Sequence, residues 1–151
     1  QERIGYMGEP FMIYKFRTMY TNAEEEGPLL SSEDDSRITP FGRVMRKYRL
    51  DELPQFWNVL KGDMSLVGPR PEVPYHVEHF KEEIPRYLVR QQVRPGCTGW
   101  AQIHGLRGDT DIAERIRYDI WYIENWTVAL DIKIIFRTVF GGKMVNDEKL
   151  Q

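Results

Sequence analysis

Glycine and proline fall in two dense stretches of this 151-residue chain, and they limit what the rest can become. Gly62, Gly68, Pro69, Pro71 and Pro74 break up residues 62–74, and Pro95, Gly96, Gly99, Gly105 and Gly108 break up residues 94–108. Neither stretch suits a long helix, because proline lacks an amide donor and glycine loses the most backbone entropy on ordering. The first reads as a structured loop and the second as a long loop or irregular strand region, and loops of this length in a compact domain usually carry function. Helical periodicity lies around them. Thr39-Pro40 reads as an N-cap and first helical position, and Phe41, Val44, Met45 and Tyr48 follow on one helix face. A second helix is expected from about Asp51, with Leu53, Phe56, Trp57 and Leu60 on one face, Pro54 in the first turn and Gly62 as the stop. Others are expected over 75–83, briefly after Pro85, and from a cap at Asp109 or Asp111 through the stripe Ile112, Ile116, Ile120, Ile123. A last stripe, Val128, Ile132, Ile135 and Val139, runs to Gly141-Gly142. Residues 1–20 read as a β-hairpin turned at Gly5, Gly8 and Pro10, with a strand over 11–19. On that strand Met12, Tyr14 and Phe16 share one face, and Ile13, Lys15 and Arg17 the other. The expected class is α+β: mostly helical, with a small N-terminal β-hairpin and long functional loops.

Several function classes drop out. The longest apolar runs are four residues, at 11–14 and 120–123, against the roughly 20 needed to cross a bilayer. Net charge is −2, so nucleic acid is not an expected partner. Cys97 is the sole cysteine, which excludes an intrachain disulfide and a cysteine-based zinc site. Residues 21–37, rich in Glu and Asp around Gly27-Pro28, read as a solvated loop or an acidic docking surface.

Three places hold groups suited to chemistry. Asp51-Glu52 follows a helix carrying Arg43, Arg46, Lys47 and Arg49. At a helix start the orphan N–H groups keep a carboxylate ionised, hence nucleophilic or metal-binding; the plain alternative is an ordinary N-cap. In the first long loop, Ser65, Gly68 and Arg70 combine close backbone approach with a bidentate cation suited to phosphate. In the second, Gln102, His104 and Arg107 stand among glycines, as in a nucleotide or sugar pocket. His76, His79 and His104 lack metal-ligand spacing, and Gly105-Leu106-Arg107-Gly108 lacks the ending of a P-loop. Tyr118, Trp121, Tyr122 and Trp126 read first as core, with a membrane surface as the alternative. The two C-terminal amphipathic stripes leave inward packing, a bilayer or a partner open, a second copy of the chain included.

The strings YKFRTM (14–19), LDELPQFWNVLKGDMSLVGPRP (50–71), RPGCTGWAQIHG (94–105) and YDIWYIENWTVALDIKIIFRTV (118–139) together resemble the bacterial sugar transferases, the monotopic phosphoglycosyl transferases. The resemblance covers nearly the whole chain. It implies transfer of a sugar-1-phosphate from a UDP-sugar to a polyprenyl phosphate such as undecaprenyl phosphate, with release of UMP, as the first membrane step in building a surface glycan. By that resemblance Asp51 is the nucleophile that forms a phosphosugar-aspartyl intermediate, and Glu52 holds Mg²⁺. Lys15, Arg17 and Arg70 are the expected phosphate ligands, with Arg107 toward the nucleotide. The family's expected place is the cytoplasmic face of the bacterial inner membrane, held there by an N-terminal hydrophobic segment. The chain opens on Gln1 and shows no such segment, so it is expected to be the single catalytic domain, 1–151, of a longer membrane protein. A metal-dependent phosphohydrolase and a non-catalytic assembly module are the competing expectations. A lipid acceptor requirement separates the first from a transferase, and nucleotide-sugar binding argues against the second.

Overall fold

The computed structural model describes residues 1–23, 25, 34–108 and 110–141. The N-terminal hairpin is present: β1 (Glu2–Ile4) pairs antiparallel with β2 (Pro10–Met12), Arg3 opposite Phe11. A 3₁₀ turn at Tyr6–Gly8 joins them, and Gly8 takes a left-handed φ of 79° there. The strand expected over 11–19 ends at Met12, because its three-residue partner runs out. Beyond it the chain stays extended but finds other acceptors and donors. Asn58, fully buried, accepts from Tyr14 N at 3.1 Å and donates to Met12 O at 2.7 Å, as a neighbouring strand would. Phe16 N donates to Asp51 O at 2.9 Å. Asn58 Nδ2 also donates to Asp63 Oδ2 at 3.2 Å, so we predict that Asn58→Ala, which removes the partner of one donor and two acceptors, costs about 2–3 kcal/mol in chemical denaturation.

Helix α1 (Pro40–Lys47) starts as its sequence dictates, with Thr39 Oγ1 accepting from Gly42 N at 2.9 Å. Helix α2 (Gln55–Lys61) ends at Gly62, φ 89°. Its start is displaced from the expected Asp51 to Gln55, and Pro54 is its N-cap instead of a first-turn residue. Residues Leu50–Glu52 form a separate 3₁₀ turn entered through Arg49 in the left-handed region, φ 56°. The physical reason is the Asp51 carbonyl: Phe16 N occupies it, so it is not the acceptor that Gln55 N would need in a continuing helix.

The two Gly/Pro stretches are not merely loops. They meet in a two-stranded parallel ladder, β3 (Ser65–Val67) against β4 (Gly96–Thr98). A Cβ at Gly96 would overlap Gly68 N and Thr98 O, so only glycine allows backbone to meet backbone there. A short helix, α4 (Trp100–Ile103), follows at once, inside the stretch expected to be irregular. Helix α3 (Pro74–Glu83) falls where expected, and a 3₁₀ segment (Tyr87–Gln92) follows Pro85. Helix α5 (Ile112–Glu124) is capped by Asp111, whose Oδ1 accepts from Glu114 N; the alternative cap, Asp109, lies outside the described residues. Helix α6 (Val128–Phe140) is capped by Thr127 and ends at Gly141, and Gly142 lies outside the described residues. So do Glu24, residues 26–33 and with them most of the acidic stretch.

Two buried clusters hold these pieces. Val67, Ile103, Tyr122 and Ile134 join β3, α4, α5 and α6, while Val77, Tyr87, Ile116 and Ile120 join α3, the 3₁₀ segment and α5. Of the aromatic group, Tyr122 is buried, whereas Trp121 and Trp126 are exposed. The stripes of α1 and α2 face outward: Phe41 is 71% exposed and Leu60 79%, while α2 turns Gln55 and Asn58 inward. Val128, Ile132 and Val139 of α6 are exposed as well. Among the described residues no helix is long and apolar enough to cross a membrane.

Candidate active site

Three elements converge on Asp51-Glu52. The Leu50–Glu52 turn presents the pair, the extended segment after β2 brings Lys15, and the loop after β3 brings Arg70. Arg70 Nη2 donates to Glu52 Oε1 at 2.8 Å, an ion pair with both side chains mostly enclosed. Glu52 Oε2 has no hydrogen-bond partner among the described residues. Asp51 is 8% exposed.

The two carboxyls are driven apart. Burial and the Glu52 charge raise the Asp51 pKa above the usual carboxylate range, outweighing Lys15 and Arg46. Burial pushes Glu52 the same way, but the charge and hydrogen bond of Arg70, with Lys15 and Arg49, outweigh it and hold Glu52 low. The Lys15 ammonium keeps contact with solvent, yet crowding and then the Arg70 and Arg3 charges lower its pKa to about 8, against Glu52 and Asp51. Divergent environments for adjacent titratable groups mark a site built for chemistry.

Two cations that the sequence offered only as part of a basic helix belong here individually. Arg46 donates to Thr18 Oγ1 at 2.8 Å and acts on Asp51. Arg49, bent into the left-handed conformation just before the pair, acts on Glu52, Arg70 and Asp51; a non-glycine residue held there costs of order 1–3 kcal/mol and is characteristic of active sites. Lys15, Arg46, Arg49 and Arg70 thus surround two carboxylates, leaving positive charge in excess. Cys97 on β4 lies within electrostatic reach of Glu52 and Arg70, and burial raises its thiol to about 11, so it is a poor nucleophile.

The remaining expected residues make no hydrogen bond or ion pair with the Asp51-Glu52 pair among the described residues. Arg17 is exposed and makes no hydrogen bond or ion pair among the described residues. Arg107 is half-buried and shares none with Asp51, Glu52 or Arg70. His104 Nδ1 lies 2.7 Å from Trp100 O, and its ring packs on Trp100 at 4.3 Å. Gln102 is buried, and both its amide atoms lack a hydrogen-bond partner among the described residues. Asp131, to which the sequence gave no role, accepts from Tyr122 Oη at 2.6 Å and Trp126 Nε1 at 3.0 Å and so ties α5 to α6.

The profile of the bacterial sugar transferases matches residues 1–144. The chain belongs to this family. Among its relatives, a UDP-N-acetylgalactosamine-undecaprenyl-phosphate N-acetylgalactosaminephosphotransferase of Aeromonas hydrophila is 50% identical over 141 residues, covering 92% of this chain and 33% of that protein. A UDP-glucose:undecaprenyl-phosphate glucose-1-phosphate transferase of Escherichia coli (strain K12) is 46% identical over 146 residues, covering 94% and 32%. One of the same description from Caulobacter vibrioides is 48% identical over 145 residues, covering 92% and 54%. The chain therefore spans about a third to a half of the length of these relatives.

Proposed function

We propose that the chain carries the catalytic site of a phosphoglycosyl transferase, moving a sugar-1-phosphate from a UDP-sugar to a polyprenyl phosphate in two displacements. The supporting observation is the buried Asp51 beside a separately held Glu52 inside a ring of cations. A diphosphate repels a carboxylate nucleophile, and four fixed cations offset that repulsion where the charge develops. In the first displacement an Asp51 oxygen bonds to the sugar-bearing phosphorus, the phosphoanhydride P–O bond breaks, and UMP leaves with that electron pair. In the second, a polyprenyl phosphate oxygen attacks the same phosphorus and returns Asp51 as carboxylate. No net proton is needed. Burial that raises the Asp51 pKa also strips the carboxylate of water and so favours attack once it is ionised.

The residues present fit Mg²⁺. Among the described residues no group of three or more His, Cys, Asp or Glu forms a metal cage. Mg²⁺ commonly takes one or two carboxylates and completes its shell with water and substrate phosphate, and Glu52 Oε2 is unengaged. When bound, the ion would neutralise phosphate charge. Excess chelator is expected to abolish turnover in a UMP-release assay, with recovery on adding Mg²⁺. UMP release limited to one equivalent per protein without lipid, and sustained turnover only when polyprenyl phosphate is supplied, support a transferase; sustained release of free sugar phosphate without lipid would instead make the protein a hydrolase.

The outward stripes of α1 and α2 suit a membrane surface at which a lipid acceptor is met. Phe41, Tyr48, Phe56, Trp57 and Leu60 are exposed beside Arg43, Lys47 and Lys61, the mixture that favours an anionic interface. Replacing Trp57 and Leu60 together with Ser is expected to weaken binding to anionic vesicles at least about tenfold, read by co-sedimentation.

The Lys15 charge gives a pH test. Below about 8 the free ammonium is charged and assists phosphate binding; above it that help is lost. An alkaline limb in kcat/KM near pH 8 is therefore expected, displaced upward in Lys15→Arg.

A further inference from the structure

The loop bearing Arg70 is gripped at three successive carbonyls. Arg90 Nη2 donates to Arg70 O at 2.6 Å, Arg3 Nη1 to Pro71 O at 3.1 Å, and Ile4 N to Glu72 O at 2.9 Å. Arg90 is itself fixed: its Nε and Nη2 lie 3.1 and 2.9 Å from Asp119 Oδ2, and its Nη1 donates to Tyr87 Oη at 3.2 Å. One turn earlier on α5, Arg115 pairs with Glu72 at 2.8 Å. Helix α5 therefore closes two ion pairs behind the same loop, and the side chains of Arg90 and Asp119 are only 4% and 3% exposed.

Stability alone is a weak account of such a pair, since desolvation offsets most of the Coulomb gain and apolar replacements often do as well. What apolar residues cannot do is hold a carbonyl in place. We propose that Asp119 is a positioning residue for the transfer reaction: it orients Arg90, Arg90 holds the Arg70 carbonyl, and the Arg70 side chain is thereby kept on Glu52. The inference rests on the reading of Arg70 as a ligand of the reacting phosphates. Without the Asp119 charge, the Arg90 fork loses its anchor and the Arg70 backbone loses its donor. Misplacement of a phosphate-binding cation by about 1 Å lowers turnover on the order of 10²-fold.

A double-mutant cycle on the full-length protein tests this. Asp119→Asn is expected to lower kcat on the order of 10²-fold, and Asp119→Asn combined with Arg70→Ala to be no slower than Arg70→Ala alone, because the path from Asp119 to the chemistry runs through Arg70. Additive losses would overturn the inference. Arg90→Lys keeps the buried pair but not the fork, and gives the same non-additivity if Asp119→Asn does not fold. Ile134→Val, in the other core cluster, lowers thermal stability without this effect. A measurement free of turnover is hydrogen exchange at the amides of Ile4 and Gly96, which bond to Glu72 O and Pro69 O on either side of Arg70. Exchange is expected to be faster in Asp119→Asn than in Ile134→Val. Unchanged exchange overturns this inference and leaves the functional reading standing; no transfer by the wild type, with exchange still faster in Asp119→Asn, overturns the functional reading on which the inference rests.

Discussion

Asp51→Asn is expected to lower sugar-phosphate transfer on the order of 10³-fold or more, as loss of a covalent nucleophile does, while leaving the fold intact. The side chain keeps its volume and its place in the turn, but the amide cannot attack phosphorus. Stability should move the other way. The folded pKa of Asp51 is raised, chiefly by burial and then by Glu52. A carboxyl with a raised folded pKa destabilises the fold wherever the pH keeps it ionised. At pH 7 the Asn variant is therefore expected to melt at the same temperature as the wild type or higher. That advantage fades as pH falls through the raised value, and is gone below 3.8, where the group is protonated folded and unfolded alike. Melting curves at pH 7 and below 4, beside a UMP-release assay, check both halves. A stable variant with no turnover is the signature of a site that trades stability for reactivity.

Arg70→Ala is the second large effect. Turnover is expected to fall on the order of 10²–10³-fold, the loss seen when one preorganised charge-stabilising group is removed. The variant also strips Glu52 of its 2.8 Å partner, which costs about 1.5–3 kcal/mol at neutral pH. The sign follows from the depressed Glu52 pKa. That stabilisation is complete above the unfolded pKa of 4.5 and is lost as pH falls through the lower folded value, so wild type and variant converge in acid. In activity, the Glu52 carboxyl of the variant titrates higher, and the acid limb of kcat/KM moves to higher pH. Arg70→Lys keeps the charge but not the fork, and is expected to recover the limb more than the rate.

What the sequence carried, it carried locally. Thr39-Pro40 and Gly62 mark helix ends because a cap and a left-handed stop depend on one or two residues. Periodicity showed which residues share a face but not what that face meets. Ile116 and Ile120 of α5 went inward, whereas Phe41, Phe56, Trp57 and Leu60 of α1 and α2 went outward. An irregular strand region over 94–108 was one expectation, but its pairing with β3 was illegible because two three-residue strands from distant loops show no alternation. Asp51 fell outside its expected helix because Phe16, distant in sequence, took its carbonyl.

The site shows the same division. Asp51, Glu52, Arg70 and Lys15 stand in motif strings, and the fold brings all four together. Arg46 and Arg49 were visible only as charge on a helix; the bond of Arg46 to Thr18 and the left-handed turn at Arg49 set them within electrostatic reach of the pair. Arg17 and Arg107 sit in comparable strings, but among the described residues neither makes a hydrogen bond or ion pair with Asp51, Glu52 or Arg70. Arg90 and Asp119 are 29 residues apart, and nothing in the spacing pairs them.

The most direct test of the covalent mechanism is intact-protein mass spectrometry of the full-length protein mixed with Mg²⁺ and a panel of UDP-sugars, with Asp51→Asn in parallel. The account predicts a mass gain of one sugar phosphate on the wild type alone, discharged when polyprenyl phosphate is added. Wild-type UMP release and lipid product with no adduct, matched by undiminished transfer in Asp51→Asn, would contradict it.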